Sequence, residues 1–117
     1  MNFSRFIKSW QDAWRGVSFV FLHEQNFRIQ ITAGLAAFGL AFLLRLRAAE
    51  FIIIGLLVLL VLILELMNTA VEKFMDVVKP RLHAQVEVVK DIMAAAVFLA
   101  SLGSIIIGSF IFIPRLV

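Results

Sequence analysis

FIIIGLLVLLVLILELMNTAVEKFMD, residues 51–76, decides how this chain is read. Fourteen uncharged residues, Phe51 to Leu64, are apolar enough for a bilayer interior, and the run then passes without a break into Glu65, Asn68, Glu72 and Asp76. A helix that begins as a membrane span thus ends in three carboxylates and an amide.

Composition places the rest of the chain in the same setting. Of 117 residues 62% are hydrophobic and only 16% charged, and the mean hydropathy is +1.01, more apolar than a soluble domain of this size can hide in one core. Three apolar runs are visible, Gln30 to Leu44, Phe51 to Leu64 and Ile92 to Ile113. Only the third alone reaches the ~20 residues that a crossing needs. The first must extend back toward Glu24 and Arg28, and the second forward through Glu65 and Asn68, so polar groups sit at or inside the membrane boundary. The expected fold is an all-α membrane protein. It has an interfacial helix over about 3–22 and transmembrane helices over about 26–46, 50–78 and 88–113, in a single domain spanning 1–117.

The N-terminal stretch has charges scattered through it and no apolar core of the ~7 to 15 residues a secretory signal requires, so it is expected to stay on the mature protein. Phe3, Phe6, Ile7, Trp10, Ala13, Trp14 and Val17 recur at helical spacing, opposite Arg5, Lys8, Gln11, Asp12 and Arg15. That pattern suits a helix lying in the membrane interface, and equally one packed on a neighbouring helix. The chain has no cysteine, which excludes disulfides and thiol chemistry.

Lysine and arginine set the expected topology. With three crossings, eight of the eleven (Arg5, Lys8, Arg15, Arg28, Lys73, Lys79, Arg81, Lys90) fall on one side and three (Arg45, Arg47, Arg115) on the other. The first side is therefore cytoplasmic, with the N-terminus in the cytoplasm. Every acidic residue except Glu50 lies at or near that face.

On a helix turning 100° per residue, Asn68 lies about 60° from Glu65, and Glu72 and Asp76 each about 20° from it, so all four share one face over roughly 16 Å. Like charges at that spacing repel, and a carboxylate near a bilayer centre costs about 3 kcal/mol on insertion scales. Helix stability does not account for the row. A divalent cation does, because Mg²⁺ takes one or two carboxylates together with phosphate oxygens and water. Glu65, at depth, is a functional residue by default and a candidate general base. Asn68 reads equally as an interhelical hydrogen-bonding group, Lys73 and Glu87 as a solvated helix end, and Asp91 as a charge complementing a helix N-terminus. Beside Lys90 and the facing carboxylates, Asp91 reads better as half of a phosphate-handling pair. His83 is a lone loop histidine. Small residues such as Ala95, Ser101, Ser104 and Gly108 in the third run let helices approach closely. The chain contains no glycine-rich phosphate loop and no nucleotide-binding glycine fingerprint. Any bound nucleotide must then be held by carboxylates, metal and a few basic groups, which phosphoryl transfer tolerates.

At these residues the chain resembles the small bacterial integral-membrane diacylglycerol kinases and undecaprenol kinases. The resemblance rests on LHEQNFR (22–28), ELMNTAVEKFMD (65–76) and the spacing H-x6-KD-x2-AAAV (83–97), and it runs from Arg5 to Pro114. It implies a kinase of the bacterial inner membrane that phosphorylates a lipid alcohol with ATP and Mg²⁺, working as a homotrimer with sites shared between neighbours. By the same resemblance Glu65 is the general base, Glu24 and Glu72 are ligands of Mg²⁺ and nucleotide, and Arg5, His83, Lys90 and Asp91 contact the nucleotide. Asn68 and Asp76 line the same site. The loop KPRLH (79–83) departs from the diacylglycerol branch, so no contact at Arg81 or Leu82 is carried over. Ala94 stands where that branch commonly has serine, and IIIGSFIFIP (105–114) is more similar to the undecaprenol branch. Undecaprenol is accordingly the expected substrate, with diacylglycerol the alternative. The rival from another class is a small oligomeric proton or cation transporter using Glu65, which has less use for the acidic and basic residues gathered at the rim.

Overall fold

The computed structural model describes residues 2–81 and 83–117 and, among these, is entirely helical. Helix α1 runs Phe3–His23, α2 Gln25–Leu43, α3 Ala48–Val78 and α4 His83–Leu116. The last three are long and apolar enough to cross a membrane. The protein is a membrane protein of the all-α class anticipated above.

Local chemistry explains where each helix begins and ends. Asn2 caps α1, its side-chain oxygen accepting from the Ser4 and Arg5 amides at 3.1 and 3.3 Å. Only Glu24, in an extended conformation (φ −118°, ψ 112°), separates α1 from α2. α2 stops at Leu43, short of the expected 46, because the chain closes a Schellman turn. Arg45 N–H donates to Phe42 O at 3.2 Å and Leu46 N–H to Ala41 O at 3.1 Å, with Arg45 in the left-handed region at φ 54°. Leu46 then tucks in beside Ala41, both buried. α3 opens with Glu50 reaching back to accept from the Arg47 amide at 3.0 Å. It ends two residues before Pro80, which has no N–H to continue the ladder. α4 starts at His83, earlier than the expected 88, because Val86 is buried and an ion pair joins Glu87 to Lys79 at 4.0 Å.

α3 is the central element. α2 and α4 pack on either side of it, and α1 lies against α2 and α3. The crossing of α2 over α3 is tight at Gly34, where a Cβ would fall 2.8 Å from Val58 Cγ1. At the end of the molecule away from Glu65, Arg115 of α4 donates to Glu50 of α3 at 2.8 Å, tying the two helices together. Just 17% of the hydrophobic window of α3, and none of that of α4, is buried within the chain. The outer faces carry apolar side chains, which suits helices whose surroundings are lipid or other membrane helices.

Candidate active site

The polar face of α3 descends from the membrane interior to its rim. Glu65 is buried at 2% exposure and Thr69, one turn on, at 3%. Asn68 and Glu72 are half-buried and Asp76 exposed, so the row passes from dry to wet along its length. Asn68 Nδ2 donates to Glu72 Oε1 at 3.2 Å and steadies that carboxylate. From α2 the Gln30 amide faces the Glu65 carboxylate, while the carboxylates of Glu24 and Glu72 lie within electrostatic range of it. Glu24 at the α1–α2 elbow and Glu72 on α3 are thus near enough to bear on Glu65 electrostatically.

At the rim Lys90 of α4 donates to Asp76 Oδ1 at 2.9 Å. This bond joins the start of α4 to the end of α3 and points the ammonium toward the carboxylate row. Asp91 is exposed, as is His83 in the first turn of α4. Arg5 is not brought to the carboxylates of its own chain: it stands near the far end of α1, roughly 28 Å from Glu24 by helical rise. Lys73, read from sequence as a solvated charge, sits over the Phe19 ring of α1 at 5.6 Å.

Two participants escaped the sequence reading. Gln30 appeared there only as the first residue of an apolar run, although an amide inside a crossing is itself a signal. Thr69 is a buried hydroxyl one turn from Glu65; a four-residue step from an acidic residue was the sign. Both belong to the polar atoms buried without a partner among the described residues, which include Gln30 Oε1 on α2, Asn68 Oδ1 and Thr69 Oγ1 on α3 and Ser104 Oγ on α4. Such atoms are rare in folded proteins and have capacity to bind.

Among the described residues no three Asp, Glu or His side chains form a ready-made metal cage. That donor set still fits Mg²⁺, which commonly takes one or two protein carboxylates and fills its octahedron with phosphate oxygens and water. From Gln30 an apolar groove of about 540 Å³ runs away along α2, α3 and α4, lined by residues such as Ala33, Ala37, Leu57, Val61 and Ile105. Gln30, at one end of this groove, is also the α2 residue that faces Glu65, and Val61 of its lining lies one turn before that carboxylate on α3.

Comparison with known proteins agrees with this geometry. Residues 11–112 match the family of prokaryotic diacylglycerol kinases. A diacylglycerol kinase of Synechocystis is 39% identical over 92% of this chain, which spans 62% of that relative's length. An undecaprenol kinase of Bacillus subtilis is 37% identical over 97% of this chain and 92% of its own. The diacylglycerol kinase of Escherichia coli is 31% identical over 90% of this chain and 86% of its own. With a family match across most of its length and three helices long and apolar enough to cross a membrane, the chain belongs to the prokaryotic diacylglycerol kinase family and stands among the lipid phosphotransferases.

Proposed function

We propose that this protein transfers the γ-phosphate of ATP to the hydroxyl of a membrane lipid alcohol, with undecaprenol preferred to diacylglycerol. The observation that carries the reading is Glu65, a carboxylate at 2% exposure, within electrostatic range of two others and faced by Gln30, which lines one end of an apolar groove. A lipid entering sideways from the bilayer would lay its tail along the groove and bring its hydroxyl to Glu65.

Glu65 then accepts the hydroxyl proton as the lipid oxygen bonds to the γ-phosphorus. The bond from that phosphorus to the β,γ-bridging oxygen breaks, and ADP departs with the electron pair. Glu24 and Glu72 would hold Mg²⁺, which when bound neutralises charge on the phosphate oxygens. Asn68 keeps Glu72 in place, and Asp76 holds Lys90 where it can meet a phosphate. His83 and Asp91 complete the nucleotide contacts, with Arg5 supplied by a neighbouring subunit.

A homotrimer is part of this reading, supported by the uncovered apolar length of α4 and by Gly103 and Gly108, which have nothing within 4 Å of where a Cβ would lie and so admit a close helix. The site faces the cytoplasm from the bacterial inner membrane, as the eight basic residues at that end favour. Preference for undecaprenol rests on the tail at 105–114 and the match over 92% of an undecaprenol kinase. Diacylglycerol is favoured in turn by the 39% identity to a diacylglycerol kinase. The deciding experiment offers both lipids in parallel to purified protein in mixed micelles with Mg²⁺ and ATP labelled at the γ-phosphate. We expect label in the undecaprenol fraction. Label in diacylglycerol alone reverses the preference, and label in neither, with Glu65-dependent proton flux in vesicles, replaces the kinase by a transporter.

A further inference from the structure

The elbow between α1 and α2 holds an arginine that the mechanism above does not use. Because Glu24 leaves helical conformation, the last carbonyls of α1 lose the amides that would have bonded them. Arg28, in the first turn of α2, replaces those amides. Its Nη1 donates to Phe21 O at 2.6 Å and to Leu22 O at 3.1 Å, reaching back seven and six residues across the bend. A cation at a helix C-terminus also complements the dipole there. Val20 on one arm and Phe27 on the other are buried at 6% and 2% exposure, so the bend is packed as well as bonded.

Glu24 sits at the vertex and has no ion pair among the described residues. The guanidinium four residues away is spent on backbone carbonyls rather than on neutralising it. The carboxylate is left unpaired within electrostatic range of Glu65.

We propose that Arg28 is a positioning residue for Glu24, clasping the α1–α2 elbow so that the carboxylate meets the metal–nucleotide at a set angle. The proposal rests on Glu24 being a metal ligand, as read above. Loss of a group that orients a ligand commonly weakens metal affinity 10- to 100-fold.

The test uses the full-length protein in lipid vesicles, with Mn²⁺ and ATP as the probe and bound Mn²⁺ read by electron paramagnetic resonance. Arg28→Met should weaken Mn²⁺–ATP binding about 10- to 100-fold and leave the KM for lipid unchanged. Arg28→Lys, which keeps a donor for one carbonyl, should recover part of the loss and also serves if the methionine variant does not fold. In the Glu24→Gln background Arg28→Met should cost nothing more. A second readout is independent of activity: Trp10 and Trp14 are the chain's only tryptophans and both lie on α1. Their quenching by lipids brominated at fixed depth should change in Arg28→Met and not in Glu24→Gln. Wild-type affinity in Arg28→Met, or losses that add in the double variant, overturns the proposal while Glu24 keeps its role. Unchanged affinity in Glu24→Gln instead overturns the ligand reading of Glu24 itself, and the clasp's purpose with it.

Discussion

Replacing Gly34 by alanine tests whether the crossing of α2 over α3 sets the geometry around Glu65. The added methyl would fall 2.8 Å from Val58 Cγ1, 3.5 Å from Cγ2 and 3.8 Å from Cβ. Carbon pairs are most favourable at roughly 3.5–4.0 Å. Either the helices part by about 1 Å at this point, or Val58 leaves the one χ1 rotamer that a helix strongly prefers for it. Overpacking of this kind costs about 1–3 kcal/mol, and between membrane helices no hydrophobic gain offsets the lost packing. Gln30 lies one turn from Gly34 on the same face of α2 with its amide facing Glu65, so parting the helices moves a neighbour of the carboxylate. A misplacement of about 1 Å at a reacting centre can cost a hundredfold in rate. Val58→Ala removes the obstructing methyl. The double variant gains one methyl on α2 where two have left Val58, so the clash is gone and the two losses should not add. The measurements are reversible denaturation in mixed micelles and kcat for lipid phosphorylation, on the two single variants and the double. The reasoning fails if Gly34→Ala keeps the wild-type midpoint and kcat, or if Val58→Ala recovers neither.

Glu65→Gln is expected to lower kcat about 10²- to 10⁴-fold, the usual contribution of a general base, while ATP binding measured by calorimetry persists; near-normal turnover would remove Glu65 from that role. Glu72→Gln should instead weaken binding of nucleotide in the presence of Mg²⁺ and leave metal-free binding little changed. Lys90→Met should raise the KM for ATP by about tenfold or more, the value of a hydrogen bond to a charged group, without moving the denaturation midpoint, since the ends of the Lys90–Asp76 pair reach water. Arg45→Gly relieves a left-handed backbone at φ 54° that glycine adopts freely, and should stabilise the fold by about 1 kcal/mol. It should leave activity unchanged, because that turn lies at the end of the bundle away from Glu65.

How much of this was readable beforehand depends on which forces leave marks in a linear pattern. α3 was legible because its fourteen apolar residues and its carboxylates at steps of seven and four share one periodicity, and one helix carries both. The elbow was not. LHEQNFR contains neither glycine nor proline, and nothing local requires the chain to leave helical conformation at Glu24. The break is held by the burial of Val20 on one side and Phe27 on the other, and by Arg28, from the next helix, which takes up the carbonyls that the break exposes. The same distinction explains the early end of α2, where Arg45 occupies a position that usually announces itself as glycine. It also explains the early start of α4, where tertiary burial of Val86 recruits a turn that local polarity alone would leave as loop. A row of carboxylates along a single helix has all its oxygens on one side and cannot by itself surround a cation; a ligand must come from another direction. On the proposed reading Glu24 supplies that direction because the chain turns at that residue, and the one non-helical position between α1 and α2 would be where the fold converts a stripe of repelling charges into a site.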